Sequence, residues 1–474
     1  MARIVVVGAG VVALGTAMLL AGDGHQVIML ERDPEGPPDD PIEAWESWER
    51  PGLNQFRLGH VFLGGFRAIV EAELPEVAKT LQDYGALRLN LVRDVLPAQM
   101  TGGWRDGDEY YEWLTGRRVL VEAVLAAAAG SAPGVEVRRG TAVAGLSTGA
   151  SAQAGVPHVT GVRTKAGESI AADLVVDMSG RRSALPGWLA DIGARPPAEE
   201  LEDSGFVYFG RHFRSADGSL PAMIGPPQMR WGTVSSLTLP ADNGTWSVVL
   251  VTSSKDTVLR SLREADRWEA VVRALPLAAH WLDGTPIDDG VQVMARLEDR
   301  YRGFVLDGKP VATGVVAAAD SWACSNPANG RGASIGMLHA LVLRDQLRAV
   351  GLADPAEFAA AFHAATAETV EPWYRTTLAT DRHWLGEIEA SLRGVAYDPP
   401  DDWYQLEKAL GAASGQDPEC LRASLDIQLV LRPPEEVFAR PGLREKALRL
   451  GSGWRDEPSF GPTREQLLAL ATSP

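Results

Sequence analysis

The chain has 474 residues, a net charge of −17 and 45% hydrophobic residues. That length exceeds one simple core and implies two or more lobes, and the acidic balance argues against nucleic acid and anionic membrane surfaces as partners. Two cysteines far apart, Cys324 and Cys420, and no Cys/His clustering leave a metal site unexpected; with no signal-peptide pattern and no apolar run of about 18 residues, the expected compartment is the cytoplasm, without a membrane span.

The chain opens on Arg3-Ile4-Val5-Val6-Val7, then Gly8-Ala9-Gly10-Val11-Val12-Ala13 and a helix-like stretch over 14–21. Gly22-Asp23-Gly24 breaks it, and a second apolar run, Gln26–Leu30, ends at Glu31. Strand, tight turn, helix, turn and strand make the first βαβ unit of a dinucleotide-binding fold. Gly8 permits the turn, Gly10 carries no side chain to block a pyrophosphate, and Ala13 takes the place of the usual third glycine. The helix N-terminus offers free N–H groups to phosphates. Glu31 stands where a carboxylate binds the adenosine ribose. Read alone, the pattern leaves the choice between NAD and FAD open.

A short acidic helix over 41–50 carries Trp45 and Trp48. A turn follows, and then the polar stretch Gln55-Phe56-Arg57-Leu58-Gly59-His60. Helices are predicted over 62–72 and 77–82, and a strand over 87–95. Arg117-Arg118 opens a helix over 119–129. Arg118 stands four residues before Glu122, which suits a surface ion pair as well as a cation aimed at phosphates. Strands are expected at 134–138 and at 141–146, the latter continuing the same sheet, with a hairpin over 159–171. Residues 173–177 form a buried-type strand running into Met178-Ser179-Gly180-Arg181-Arg182-Ser183, either a close approach to a ligand or a plain strand stop.

From 206 to 252 the period changes to that of an antiparallel lobe, with strands at 206–213, 231–239 and 246–252 and a turn at Asp242-Asn243-Gly244. Tyr208, Trp231 and Trp246 are candidate pocket residues, with core packing as the alternative for each. A buried strand over 311–319 meets Asp320, and Pro327-x-x-Gly330-x-Gly332 precedes a helix over 333–350. Asp320 can accept from a sugar-chain hydroxyl, Pro327 can lie against a ring, and glycines at 330 and 332 let the backbone approach an aromatic cofactor. The helix start at Ala333 favours negative charge. The remainder is mostly helical, and its role is open between packing on the first lobe and a dimer surface.

These pieces in this order resemble FAD-dependent monooxygenases of the p-hydroxybenzoate-hydroxylase-like superfamily, most nearly the branch of polyketide flavin epoxidases and their relatives. The resemblance covers about the first 350 residues. It rests on Gly8-x-Gly10 with Glu31, Gln55-x-Arg57 with His60, Arg118, the strand ending at Asp177 with Gly180-Arg181-Arg182-Ser183, and Asp320 with Pro327 to Gly332. It implies an α/β fold: a Rossmann-like FAD-binding domain over 1–190 and 290–350, a mixed antiparallel-sheet substrate domain over 191–289, and a helical segment over 351–474. It implies FAD held by Gly8, Gly10, Ala13, Glu31, Arg32, Gln55, Arg57, Arg118, Val143 (through its backbone, beside the adenine), Asp320, Pro327, Gly330, Gly332 and Ala333. No catalytic residue is assigned; Arg57 and His60 stand near the flavin by position.

The implied activity is hydroxylation or epoxidation of a small organic, secondary-metabolite-like substrate with O₂, through a flavin C4a-hydroperoxide. Two features depart from the family. Ala319-Asp320 replaces Gly-Asp, and Asp-Met-Ser-Gly replaces the Asp-Gly that aromatic hydroxylases also use for NADPH. Reducing equivalents are therefore expected from NAD(P)H either directly or through a separate flavin reductase. An FAD-dependent reductase of alkene or prenyl chains is the principal alternative. A flavin halogenase-like or non-catalytic flavin-binding protein is the second.

Overall fold

The computed structural model describes residues 1–151, 153–456 and 461–472. Five parallel strands form the first sheet: β1 (Arg3–Val7), β2 (Gln26–Leu30), β3 (Val135–Arg138), β4 (Leu174–Asp177) and β5 (Val315–Ala317), in the spatial order β5-β4-β1-β2-β3. Helices cover both faces, so the strands read as continuous apolar runs rather than alternating ones; Ile4 to Val7 and Val27 to Leu30 are all buried. Register aligns Val7 with Leu30 on one side and Asp177 on the other, and Ala317 with Asp177. The carboxyl ends of β1, β4 and β5 therefore open at one edge, where ligands bind in parallel sheets of this kind.

Helices α1 (Val11–Gly22), α2 (Arg118–Ser131) and α3 (Gly332–Ala349) pack around this sheet. Their approach explains two glycines outside any turn. A Cβ on Gly15 would sit 2.8 Å from Met337 Sδ, and one on Gly336 would sit 2.7 Å from Val12 Cγ2. These positions let α1 and α3 lie close enough to aim their N-termini into one space.

The second lobe is an antiparallel sheet. Its strands run Gln228–Trp231, Val234–Pro240, Thr245–Ser253, Phe206–Arg214 and Thr285–Pro286 in spatial order, and Gln292–Met294 also pairs with Phe206–Arg214. Residues alternate between two faces. Val207, Phe209, Phe213, Val248 and Leu250 pack on Trp268 and Trp281, whereas Phe206, Tyr208, Val249 and Val251 face Ala328 of the first lobe and Trp384 and Ile388 of the C-terminal segment. An antiparallel ribbon of Ala198–Asp203 with Glu298–Gly303 joins the lobes. The pairing of Gln292–Met294 thus carries the second sheet past residue 289.

Four local expectations differ. Residues 87–95 hold a strand only over Leu87–Asn90, because Asn90 Oδ1 accepts from the N–H of Val92 and Arg93 and turns the chain into a wide helical turn. The strand Val143–Gly149 leaves the parallel sheet and pairs with His158–Thr164 in a separate three-stranded one. The expected strand over 231–239 is a hairpin folded at Gly232, which has φ +66°. The buried strand over 311–319 is regular only at β5, and Ala319 adopts φ +51° to start a short helical turn through Asp320.

The C-terminal segment packs on both lobes. In its helix Glu371–Leu392, Trp384 and Ile388 join the second-lobe cluster of Phe206 and Tyr208, while Trp373 packs with Trp113 and Leu421. Further on, Arg464–Thr472 lies against Ala265–Arg273 of the second lobe, anchored by Arg464 to the buried Asp256 at 2.7 Å.

Candidate functional site

A cavity of about 1210 Å³ runs from the carboxyl edge of the parallel sheet to the inner face of the second lobe. It exceeds the roughly 300–1,000 Å³ of ordinary small-molecule pockets, which leaves space for a large cofactor together with a substrate. Gly8, Gly10, Ala13, Glu31, Arg32, Gln55, Arg118, Val143, Asp320, Pro327, Gly330, Gly332 and Ala333 all line it. Arg57 does not line it. Its guanidinium pairs with Glu49 at 2.8 Å and lies over the Trp45 ring, because the turn that points Gln55 inward points Arg57 outward.

At one end stands the turn after β1. Gly8 has φ +107°, and a Cβ there would meet the Met178 carbonyl oxygen at 2.6 Å; its glycine is required by the neighbouring strand end. Gly10 is different: a Cβ there would meet nothing within 4 Å, and the space is cavity. Gly10 caps α1 without a side-chain hydrogen bond, so first-turn N–H groups remain free. The second glycine turn has the same design. Gly330 has φ +65° and fits against Val61, Gly332 faces open space, and α3 likewise starts without a side-chain cap. Two uncapped helix N-termini converge on one cavity, and such termini favour anions.

Glu31 is buried at the end of β2. Its Oε2 accepts from the Ala9 N–H at 3.0 Å and pairs with Arg50 at 2.5 Å, and its Oε1 accepts from the Asp33 N–H at 3.0 Å. A carboxylate has about four acceptor sites, so Oε1 retains one for a hydroxyl. Arg50 also binds Asp33 at 3.1 Å, the Ala9 carbonyl, and Glu122 in a short contact. Arg50 thus ties the glycine turn, β2 and α2 into one buried ionic knot. It was not singled out in the sequence, where its only signal is a cation just before the polar stretch.

Arg118 makes the expected i,i+4 pair with Glu122 at 3.1 Å and also reaches the cavity. Its Nη1 donates to His60 Nε2 at 3.1 Å, while the other ring nitrogen, Nδ1, lies 2.9 Å from the Leu58 carbonyl. Nδ1–H therefore donates to Leu58 and Nε2 accepts from Arg118. Burial and the Arg118 charge push the His60 pKa down to about 3. A neutral imidazole committed at both nitrogens is a brace for Arg118 rather than a base aimed at a substrate.

Asp320 lines the cavity beside Arg118 and Arg181. Its carboxylate makes no hydrogen bond or ion pair within the described residues. Burial raises its pKa, opposed by the two arginines. An acceptor without a protein partner, at the foot of an uncapped helix, fits a hydroxylated ligand chain. Asp177 does the opposite. It turns inward, accepts from Ser179 N and Oγ and from Ser183 Oγ, and folds the following turn, so that Ser179, Gly180 and Arg181 reach the cavity in its stead.

At the far end the lining comes from the second lobe: Tyr208, Leu237, Leu239, Val249, Met294 and Leu297. Trp231 and Trp246 belong to the opposite face of that sheet. Trp246 Nε1 donates to the Trp281 carbonyl at 2.7 Å and Trp231 Nε1 to Ser236 Oγ at 2.8 Å, as the period-two alternation requires. Tyr374 of the C-terminal segment also reaches the cavity. Among the described residues no group of three His, Cys, Asp or Glu side chains is placed to hold a metal ion.

No family model matches the chain. Rv3254 of Mycobacterium tuberculosis (strain ATCC 25618 / H37Rv) is 29% identical over 263 residues, 52% of this chain and 51% of that protein; the match spans about half the length of that curated relative. Among solved structures, PqsL of Pseudomonas aeruginosa, named a probable FAD-dependent monooxygenase, is similar with a TM-score of 0.59 at 16% identity, over 83% of this chain and 98% of that one. The anhydrotetracycline hydroxylase OxyS of Streptomyces rimosus gives 0.56 at 19% identity, over 91% and 76%. The flavin-dependent brominase Bmp2 gives 0.63 at 16% identity, over 96% and 99%. The likeness is one of fold: the chain has the α/β fold of these flavin-dependent enzymes, with a helical C-terminal part. No described helix is long and apolar enough to cross a membrane.

Proposed function

We propose that the chain is an FAD-dependent monooxygenase acting on a small organic substrate with O₂. The observation that carries this reading is the convergence on one cavity of two uncapped helix N-termini, an unpartnered Asp320 carboxylate and an apolar sheet face. Gly10 leaves room for a pyrophosphate on the α1 N-terminus, Glu31 offers its remaining acceptor site to the adenosine ribose, and Asp320 accepts from the sugar chain. Arg118, braced by His60 and Glu122, keeps its Nη2 for the phosphates. The N-terminus of α3 stabilises negative charge on a reduced ring. When bound, the flavin would supply the reductive activation of O₂, from which the inserted oxygen atom comes. Leu237, Leu239 and Val249 exclude water where the substrate sits.

Reducing equivalents come from NAD(P)H or a separate flavin reductase, and the cytoplasm suits both.

The test is direct. The purified chain takes up FAD and turns yellow, and Glu31→Ala and Asp320→Ala each lower its flavin occupancy. Unchanged occupancy in both variants, or a chain that takes up no FAD, overturns the reading. Reduced protein should give oxygenated product only when O₂ is admitted. Reduced product formed anaerobically from an alkene supports the reductase instead.

A further inference from the structure

The two glycine turns of the cavity are held in different ways. In the first, Ala9 stands between the glycines and is gripped through its backbone: its N–H donates to Glu31 and its carbonyl accepts from Arg50. In the second, the grip is on side chains. Pro327, Ala328, Gly330, Gly332 and Ala333 line the cavity, whereas Asn329 and Arg331 do not. These two side chains leave by the back of the turn and end on the helix Glu371–Leu392. Asn329 Nδ2 donates to Asp381 Oδ1 at 3.0 Å, and Arg331 Nη1 donates to Thr377 Oγ1 at 3.2 Å. Thr377 and Asp381 are buried and stand at i and i+4, so both acceptors lie on one face of the helix. Among the described residues each of these bonds is the one hydrogen bond of its donor side chain.

That arrangement answers a need of the turn. Glycine has the most conformational freedom to lose, and Gly330 and Gly332 carry no side chain that could fix the turn from the cavity side. Before the turn, the Asn326 N–H is tied to Asp299 Oδ1 at 2.6 Å; after it, the Ile335 N–H donates to the Arg331 carbonyl at 3.0 Å as α3 becomes regular. Between these ties the turn is fixed from behind. The same helix packs Trp384 and Ile388 in one cluster with Ala328 and sends Tyr374 into the cavity wall.

We propose that Asp381 and Thr377 are positioning residues for the ring half of the cofactor site. Through Asn329 and Arg331 they hold the second glycine turn and the start of α3, the part of the cavity that the proposed function gives to the flavin ring. The C-terminal segment thereby completes the site. The proposal rests on that function's assignment of FAD to the cavity, and adds to it two residues that fix the ring half without touching a ligand themselves.

The experiment compares FAD with ADP, which has the adenosine and diphosphate of FAD but no ring. The full chain, stripped of FAD, is titrated with each by calorimetry. Asp381→Ala weakens FAD about tenfold, the worth of ordering one turn residue anew on binding, and leaves ADP affinity unchanged. Thr377→Val, which keeps the shape of threonine without its hydroxyl, weakens FAD in the same selective way, and it carries the comparison alone if Asp381→Ala does not fold. Asp381→Asn keeps an acceptor oxygen for Asn329 and restores FAD affinity. A loss shared equally by FAD and ADP marks general damage to the fold and overturns the proposal. Unchanged FAD affinity in either disrupting variant, or no rescue by Asp381→Asn, also overturns it. A wild-type chain that takes up no FAD sinks the proposed function and this inference with it; a wild type that holds FAD, with any of those failures in the variants, sinks this inference alone.

Discussion

The two ends of the cavity are built on opposite principles. At the first, Glu31, Asp33, Glu122, Arg50 and Arg118 form a buried ionic knot around a glycine turn. At the second, a sheet face of leucine and valine carries one tyrosine hydroxyl. Charges taken out of water are stable only while every partner is present, whereas an apolar wall tolerates exchange of similar shapes. The first end is therefore rigid in its requirements, suited to a ligand that never changes. The second can vary its occupant at small cost to the fold.

The largest expected effect tests that asymmetry. Arg50→Met leaves three buried carboxylates with Arg118 as the remaining cation of the knot, and should destabilise the chain by about 3–5 kcal/mol at pH 7. Tyr208→Phe at the other end, which leaves the buried Asn326 Oδ1 without its donor, should cost less, about 1–3 kcal/mol. Urea unfolding of both variants measures the contrast, and equal losses would break it. Next comes Gly8→Ala. Positive φ and a backbone oxygen in the way together cost about 2–4 kcal/mol. Gly330→Ala should cost less, because its obstacle is the movable Val61 side chain at 2.7 Å. Gly10→Ala and Gly332→Ala should melt within a few degrees of wild type and yet bind FAD more weakly, since the added methyl enters cavity rather than protein. Thermal melts beside FAD titrations separate the two kinds of glycine.

The glycine turns also mark how far the sequence could be read. Gly8, Gly10, Glu31 and Gly332 were legible because backbone conformation and helix starts are local properties, written in spacing. The parallel sheet was legible for the same reason: continuous apolar runs bounded by glycine and acid leave few alternatives. What failed to show was anything decided by pairing across the chain. Trp231 and Trp246 share composition with a pocket wall, but strand register places them on the far face. Val143–Gly149 has the pattern of a sheet strand without naming its sheet. Arg50 and Asp381 are single charged residues whose meaning comes from partners in other elements, Glu122 and Asn329. Nothing in their own surroundings announces them.

A smaller effect concerns acid. Burial and the Arg118 charge push His60 from its ordinary value of 6.5 down to about 3. The unfolded chain takes up this proton below about pH 6.5 and the folded chain does not, so the neutral ring's contribution to stability is complete above pH 6.5 and is lost as the pH falls toward 3. His339, buried among aromatic rings and also pushed to about 3, acts in the same sense. Asp299, raised by burial to about 6, acts in the opposite sense between about pH 4 and 6. With His60→Gln, the stability lost between pH 7 and pH 5 should shrink by about 1–2 kcal/mol relative to wild type. An unchanged pH slope would show that His60 gains its proton in the fold, and would remove it as the neutral brace of Arg118.

The smallest expected effect belongs to Arg57, the one residue of the implied FAD set that lies off the cavity. Its pair with Glu49 is exposed on the glutamate side, and such pairs are worth about 0–1 kcal/mol. Its guanidinium over Trp45 adds a comparable amount. Arg57→Gln should therefore lower stability by no more than about 1 kcal/mol and leave FAD affinity unchanged, whereas Arg118→Gln, one cavity wall away, should weaken FAD. Sequence position alone treats the two arginines alike. Geometry separates them, because Arg118 leaves a helix start that faces the ligand space and Arg57 leaves a turn that faces Trp45. A tenfold loss of FAD affinity in Arg57→Gln would mean that the polar stretch rearranges around the cofactor, and that the first end of the cavity is less rigid than its ionic knot implies.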